Sequence, residues 1–262
     1  MVRSSMSIGP SRSRTAVLTA VVAGAGLACG CEMATLSDQG PIRPATLVFS
    51  LQPENTTAGS PLQPGVGVTV LESNGDTAFE ATVTIQISIA SGTGKGGAHL
   101  GGVTQVAAVN GTALFPSVTI DSAGSGYQLL AAAAGLGGAA SDTFTVSAGA
   151  PVKLVFTRQP TATPAGDTIG PAVQVAAQDG IGNTAPFWSD TITLAIGANP
   201  GPGTLGGVTS RLADSGLATF PGLTVSAAGA GYTLVATARG FSPVASAPFN
   251  VTAQIPPKPG VR

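Results

Sequence analysis

The most regular feature of this chain is the alternation of apolar and polar residues over short segments. Residues 81–90 show it most clearly, because Val83, Ile85, Ile87 and Ile89 alternate with Thr, Gln and Ser. Such a period of two places the apolar side chains on one face of a β-strand. Similar runs of Val, Thr, Ile, Leu and Phe recur between turns rich in Gly and Pro. The pattern predicts an all-β protein of many short antiparallel strands, including continuous strands over residues 112–120 and 139–147.

This strand pattern occurs twice. Leu47-Val-Phe49 recurs as Leu154-Val-Phe156, 107 positions later, whereas the identical pentapeptides Leu-Gly-Gly-Val-Thr at 100–104 and 205–209 lie 105 apart. The second copy is therefore two residues shorter in a Gly-rich stretch, as loops permit. A repeat of about 105 residues matches the size of one immunoglobulin-type sandwich. We predict two tandem β-sandwich domains, at 46–148 and 152–253.

One segment of the repeat has conflicting signals. Leu129-Leu-Ala-Ala-Ala-Ala134 has a high intrinsic helix propensity. The matching segment of the second copy, Leu234 to Arg239, contains β-branched Val and Thr, which favour a strand. Because both copies should share one fold, both segments are predicted to be strands.

The only two tyrosines of the chain occupy matching positions. Tyr127 and Tyr232 each follow Ala-Gly-x-Gly. This arrangement resembles the tyrosine corner of immunoglobulin-type sandwiches, in which a Tyr hydroxyl near the start of strand F bonds to the backbone a few residues upstream. We expect each tyrosine to open a strand and to serve as a structural corner.

The repeat as a whole resembles the bacterial immunoglobulin-like domains repeated in invasin and intimin adhesins. The resemblance rests on Val173-Gln-Val175 followed by the polar turn 179–184, on Gly-x-Ala-x-Phe at 111–115 and 216–220, and on Ala-Gly-x-Gly-Tyr. It implies two Ig-like sandwiches. It also implies a role as a surface stalk or spacer, because in that family a different terminal domain usually contacts the ligand.

The N-terminus has the composition of a signal peptide. Met1 to Arg14 carries three arginines and no acid, and an apolar run over 16–28 is too short to span a bilayer. Small residues precede Cys29 and Cys31, which resembles the lipobox of bacterial lipoproteins, whose cysteine is acylated. We predict a signal peptide at 1–31, lipidation of one of these two cysteines, a tether at 32–45 and a Pro-rich tail at 254–262. Simple secretion and an uncleaved anchor are the alternatives.

Composition excludes several function classes. Charged residues make up 9% of the chain and the net charge is −1, so no basic surface is available for nucleic acid. The single histidine, His99, and the lack of cysteine after position 31 leave no nucleophilic triad or His-based metal site. No catalytic residue, metal or cofactor is therefore predicted, and His99 is interpreted as a solvated loop residue.

Two features remain as candidate sites. Phe187 and Trp188, the sole tryptophan, could form a platform for a glycan or protein ligand, or Trp188 could be a core residue. The turns with Glu72 and Asp76 in one copy, and Asp179 and Asn183 in the other, could hold Ca²⁺ or could be ordinary polar turns.

These observations lead to one functional expectation. The chain is predicted to be a non-enzymatic cell-envelope lipoprotein, anchored by lipid to the outer membrane or cell surface, with a structural stalk or adhesive role. The alternative is a carbohydrate-binding module that uses Phe187 and Trp188, and a secreted protein is the alternative location.

Overall fold

The computed structural model describes residues 43–254, in which every regular element is a β-strand. No helix in this range is long and apolar enough to cross a membrane. The first twelve strands are β1 (Pro44–Leu51), β2 (Thr56–Thr57), β3 (Val66–Glu72), β4 (Thr84–Ile89), β5 (Leu100–Gly101), β6 (Gln105–Ala107), β7 (Thr112–Phe115), β8 (Thr119–Ile120), β9 (Gly124–Tyr127), β10 (Leu129–Ala133), β11 (Ala139–Ala140) and β12 (Phe144–Ser147). The next twelve are β13 (Lys153–Arg158), β14 (Thr163–Pro164), β15 (Val173–Gln178), β16 (Thr191–Ile196), β17 (Leu205–Gly206), β18 (Ser210–Leu212), β19 (Leu217–Phe220), β20 (Thr224–Val225), β21 (Gly229–Tyr232), β22 (Leu234–Thr237), β23 (Val244–Ala245) and β24 (Phe249–Thr252).

The two sets of strands pair in the same way. The first forms sheets β1-β3-β7, β11-β10-β4-β6, β2-β12-β9 and β5-β8, and the second forms β13-β15-β19, β23-β22-β16-β18, β14-β24-β21 and β17-β20. The pairs β2/β12 and β14/β24 are parallel, while the long strands pair antiparallel. This arrangement confirms the predicted all-β, Ig-like sandwich fold.

Each set of strands encloses its own hydrophobic core. The first core draws its buried side chains from residues 47–146 and the second from residues 154–251, with no residue in common. The alternation predicted for residues 81–90 is observed in β4, where Ile85 and Ile87 are buried and Thr84, Gln86 and Ser88 are exposed. Period-two burial therefore directs one face of the strand into the core.

The Ala-rich segment is a strand, as predicted. β10 pairs antiparallel with β4, so that Ala131 lies opposite Ile87. Leu129 and Ala131 are fully buried. The packing of these side chains against the isoleucines of β4 outweighs the local helix preference of alanine.

Several predicted strand limits are wrong in the same way. The segments 112–120 and 139–147 are each divided into two short strands, and Tyr127 ends β9 instead of opening the next strand. The division reflects a change of sheet, because β9 pairs with β12 whereas β10 pairs with β4. A chain that moves from one sheet to the other must interrupt its ladder of hydrogen bonds.

A buried serine satisfies the backbone at one of these interruptions. Ser141 is 3% exposed, and its hydroxyl accepts a hydrogen bond from the Leu129 N–H at 2.9 Å and donates to the Asp142 carbonyl. Ser246 makes the same contacts with Leu234 and Ala247 in the second copy. The hydroxyl thus replaces a missing strand partner.

Replacing Ser141 with Ala should lower the free energy of unfolding by about 1 to 2 kcal/mol, because it leaves a buried N–H unpaired. Urea denaturation would measure the loss. Ser88→Ala, on the exposed face of β4, is the matched control and should change stability by less than about 0.5 kcal/mol. Equal effects of the two substitutions would show that the hydroxyl contacts contribute nothing.

Candidate functional site: the junction between the two repeats

The turn after β15, residues 179–184, faces the first repeat. Two of its polar side chains, Asp179 and Asn183, are 3% and 4% exposed. The Asp179 Oδ1 atom accepts hydrogen bonds from the N–H groups of Ile181, Gly182 and Asn183 at 2.8 to 3.1 Å. A carboxylate that accepts from several backbone N–H groups of its own turn fixes the turn in one conformation.

The same two side chains also bond across the junction. Asn183 Oδ1 accepts from the Ala123 N–H at 2.9 Å, and its Nδ2 donates to the Asp121 carbonyl at 3.0 Å. Asp179 Oδ2 accepts from the Gly149 N–H in the linker at 3.0 Å and from Asn183 Nδ2 at 3.1 Å. We call this network the Asp179–Asn183 clamp. It ties the second repeat to the corner of the first repeat and to the chain that connects them.

Hydrogen bonds stabilise the negative charge of the clamp. Burial by itself raises the pKa of the Asp179 carboxyl, but hydrogen bonds from the Gly149 and Asn183 backbone, the Asn183 amide and the Gly182 N–H outweigh it. The net pKa of Asp179 lies below its ordinary value, so the ionised form is the one that the network stabilises.

The clamp should weaken in acid. Because the pKa of Asp179 is lowered on folding, its contribution is complete above the unfolded value, near 3.9, and is lost as the pH falls through the folded pKa. The Gly149 amide proton, observed by NMR, should keep a constant chemical shift from neutral pH to about pH 4 and should move only below it. A transition of this signal near neutral pH would contradict the assignment.

The equivalent turn of the first repeat is built differently. Glu72 and Asp76 stand at the positions of Asp179 and Asn183, and residues 73–76 are exposed. Asn74 caps this turn by accepting from the Asp76 N–H and donating to the Asp76 carboxylate. A carboxylate at position 76 has no proton to donate to a carbonyl, so only the second repeat carries the clamp chemistry.

The sequence places these four residues at equivalent positions but predicts only a turn or a calcium site for them. Within residues 43–254 no three His, Cys, Asp or Glu side chains are grouped so that they could hold a metal ion. One sequence feature does distinguish the turn that contacts the other repeat: the second copy has Asn183 where the first has Asp76. A single sequence could not show which surface the Asn would meet.

Both tyrosines are completely buried. The Tyr127 hydroxyl donates to the Ser122 carbonyl at 2.7 Å, and the Tyr232 hydroxyl donates to the Ala227 carbonyl at 2.9 Å. Each bond spans five residues, and burial raises the pKa of Tyr127. Each hydroxyl therefore closes the corner that precedes it, and the corner of the first repeat is the surface that Asn183 contacts.

A glycine-rich loop covers each tyrosine ring. A Cβ atom on Gly94 would overlap the ring of Tyr127, and one on Gly201 or Gly203 would meet the hydroxyl of Tyr232. Gly94 also has a φ of +63°. Close approach to the buried tyrosine thus requires glycine at positions 94, 201 and 203, and at Gly94 the backbone conformation requires it as well.

The two candidate aromatic residues have different environments. Trp188 is half-buried, packs against the second core and meets Phe241 edge-on, with ring centroids 5.3 Å apart. Phe187 is 90% exposed. An exposed aromatic ring of this kind contributes nothing to the core and is available for contact with another molecule.

Phe187 stands between two shallow grooves at the junction. One, of about 400 Å³, is lined by residues of both repeats, and the other, of about 270 Å³, follows the linker to Trp188. Ala148, Pro186 and Phe187 line both grooves. We call the two together the junction groove. An exposed ring, the linker and both repeats meet there.

The remaining candidates lie apart from the junction groove or outside the described residues. The His99 side chain is 82% exposed, and its Nδ1 lies 3.1 Å from the Asp121 carboxylate. The pKa of Asp121 is lowered, chiefly by a hydrogen bond from the His99 backbone N–H. Cys29 and Cys31 lie outside the described residues, so lipidation stays a prediction.

Comparison with known proteins gives no family. No protein-family model and no curated protein matches the sequence. Among solved structures, the Escherichia coli adhesin FdeC is 17% identical, with 82% of this chain and 65% of that one covered and a TM-score of 0.36. The Yersinia pseudotuberculosis adhesin InvE is 19% identical, covering 80% and 58%, with a TM-score of 0.31.

An enzyme is matched at a similar level. A β-glycosidase from Bacteroides vulgatus is 12% identical, with 80% of this chain and 25% of that one covered and a TM-score of 0.36. The chain thus spans less than two thirds of the length of all three structures. At these TM-scores the matches do not favour an adhesive role over an enzymatic one. Function is therefore inferred from the residues themselves.

Proposed function

We propose that this chain is a non-enzymatic envelope lipoprotein whose two Ig-like repeats act as a stiff surface spacer or adhesive module. The observation that carries the proposal is the Asp179–Asn183 clamp. A spacer keeps its two ends apart only if it does not bend at the joint between its repeats. A joint whose polar groups are buried and fully hydrogen-bonded resists bending. An extended pair of repeats on a lipid anchor would hold its outer end away from the membrane.

The proposed anchor is an acyl chain on Cys29 or Cys31. Each buried CH₂ contributes about 0.8 kcal/mol to membrane binding, and more than one chain gives lasting attachment. The wild-type protein should incorporate labelled palmitate. One of the two single substitutions, Cys29→Ala or Cys31→Ala, should abolish this labelling, and the other should leave it unchanged. Mass spectrometry of the mature N-terminus should show the modified cysteine. An unmodified N-terminal peptide that starts beyond residue 31 would refute the anchor.

A second candidate function is carbohydrate binding at Phe187, which its exposure favours. Sugars commonly stack their apolar faces on exposed aromatic rings. Trp188 lines the adjoining groove, so its fluorescence should report a bound oligosaccharide. An emission change abolished by Phe187→Ala would support this function, and no change with a panel of neutral and acidic glycans would exclude it.

A further inference from the structure

The junction groove has an unusual lining. Its walls beside Phe187 are apolar, with Val146, Pro186 and Ala123 on one side and Pro151, Ala150 and Trp188 on the other. Among residues 43–254, the polar side chains that line it are four hydroxyls, and no charged or amide side chain contributes. Sites that orient a polar ligand usually have a few well-placed amide, charged or metal groups. A groove with these walls is better suited to a ligand rich in apolar rings and poor in directional polar groups.

A polyproline segment has this chemistry. Prolines fix the backbone near the polyproline II conformation, and such helices bind in shallow grooves lined by aromatic residues. The chain carries one such segment in Ile255-Pro-Pro-Lys-Pro259, directly after the last described residue. We propose that the junction groove binds this proline-rich segment from a second copy of the chain.

The sequence next to the groove-lining residues is acidic, whereas the tail segment is basic. Residues 255–262 contain Lys258 and Arg262 and no acidic side chain. Three carboxylates lie within two positions of residues that line the groove, against one lysine, Lys153. These acids are Asp121, Asp190 and Asp214. Attraction to these carboxylates would steer the basic segment toward the groove, whose own lining is uncharged.

The geometry requires the segment to come from another molecule. Lys153 pairs with Gln178 at the junction end of the second repeat, whereas Thr252 pairs with Pro164 at the opposite end. The strand β13 alone, with six residues, spans roughly 20 Å. Residues 255–259 in polyproline II reach only about 15 Å beyond Gln254. The prolines of one chain therefore cannot return to its own groove.

Binding of this kind would join molecules head to tail. The groove and the tail are different surfaces, so each molecule offers one of each and the contact is heterologous. On an envelope surface, each chain would then be linked to the next in an open series. Ala123 and Gly149 line the groove, but their N–H groups are bonded to the Asp179–Asn183 clamp, and the proposed contact requires no change in those hydrogen bonds. Failure of the tail to bind would therefore leave the proposed spacer role untouched.

The test uses residues 41–262, which form one compact unit, and the same protein ended at residue 254. A synthetic peptide of residues 255–262 is titrated into the shorter protein while the emission of Trp188, the sole tryptophan, is followed. A saturable emission change is expected. It should be lost in Phe187→Ala and kept in Phe79→Ala, which removes another exposed ring, 67% accessible, away from the groove.

Sedimentation provides the second measurement. The 41–262 protein should gain average mass with concentration, and deletion of the tail or Phe187→Ala should abolish that gain. No emission change with the peptide, or equal mass with and without the tail, would overturn the proposal. So would an equal response to a peptide whose three prolines are replaced by alanine, or a response to neutral oligosaccharides but not to the peptide.

Discussion

Replacing Gly94 with Ala should destabilise the first repeat by about 3 kcal/mol. A left-handed backbone costs a non-glycine residue roughly 1 to 2 kcal/mol, and overpacking of a full core costs roughly 1 to 3 kcal/mol more. Both terms apply, because Gly94 has a φ of +63° and its Cβ would overlap the Tyr127 ring. In thermal unfolding, a change of this size lowers the Tm of a repeat of this length by about 15 °C.

Gly92→Ala separates the two terms. Gly92 lies in the same loop with a φ of +77°, but within residues 43–254 no atom beyond its two chain neighbours lies within 4 Å of the position that its Cβ would occupy. It should therefore cost only the backbone strain, about 1 kcal/mol. If both substitutions cost the same, contact with the tyrosine ring is not what requires glycine at position 94.

Replacing Asn183 with Asp should open the junction while leaving both repeats folded. The substitution removes the donor to the Asp121 carbonyl and places a second carboxylate where an amide lies 3.1 Å from Asp179. Unpaired buried groups and like charges at this distance together should cost about 3 kcal/mol. The Ala123 and Gly149 amides, whose acceptors are in the clamp, should then exchange with solvent roughly 100-fold faster.

The matched control is Asp76→Asn in the first repeat. It makes the same chemical change in reverse, at the equivalent position, in an exposed turn. The free energy of unfolding, and the free energy of junction opening that amide exchange reports, should each change by less than about 0.5 kcal/mol. Acid adds a further distinction, because a proton shared between Asp179 and the new carboxylate would restore a donor. Relative to intrinsic rates, exchange in Asn183→Asp should slow as the pH falls, and the opposite trend would contradict this explanation of the clamp.

Much of the fold follows from local pattern. Ile85 and Ile87 alternate with polar residues, and that alternation alone identifies β4 and its buried face. The comparison of two copies resolved the Ala-rich β10, where propensity alone favours a helix. The limits of β7 to β12 did not follow, because they depend on where the chain changes sheet, and neither Tyr127 nor Ser141 signals that change in its immediate neighbours.

The junction could be predicted only in part. Duplication placed Asp179 and Asn183 in a turn, and composition singled out Phe187 and Trp188. The partners of the clamp, Asp121, Ala123 and Gly149, contribute mainly backbone groups, which every residue has. Such contacts leave no side-chain signature, so they are visible only when the two repeats are placed together. The separate environments of Phe187 and Trp188 likewise depend on Phe241, a residue 53 positions beyond Trp188.

The clamp also gives the repeats a fixed order along the chain. Its donors and acceptors are divided unequally: the downstream member must bring the Asp and Asn of its turn, while the upstream member needs only a corner and a linker. The first repeat has Glu72 and Asp76 at those positions. A chain with the order of the two repeats exchanged would therefore keep the same composition and the same two folds, but its joint would lack the hydrogen bonds of the clamp. The two repeats therefore share one fold but cannot exchange positions along the chain without loss of the clamp.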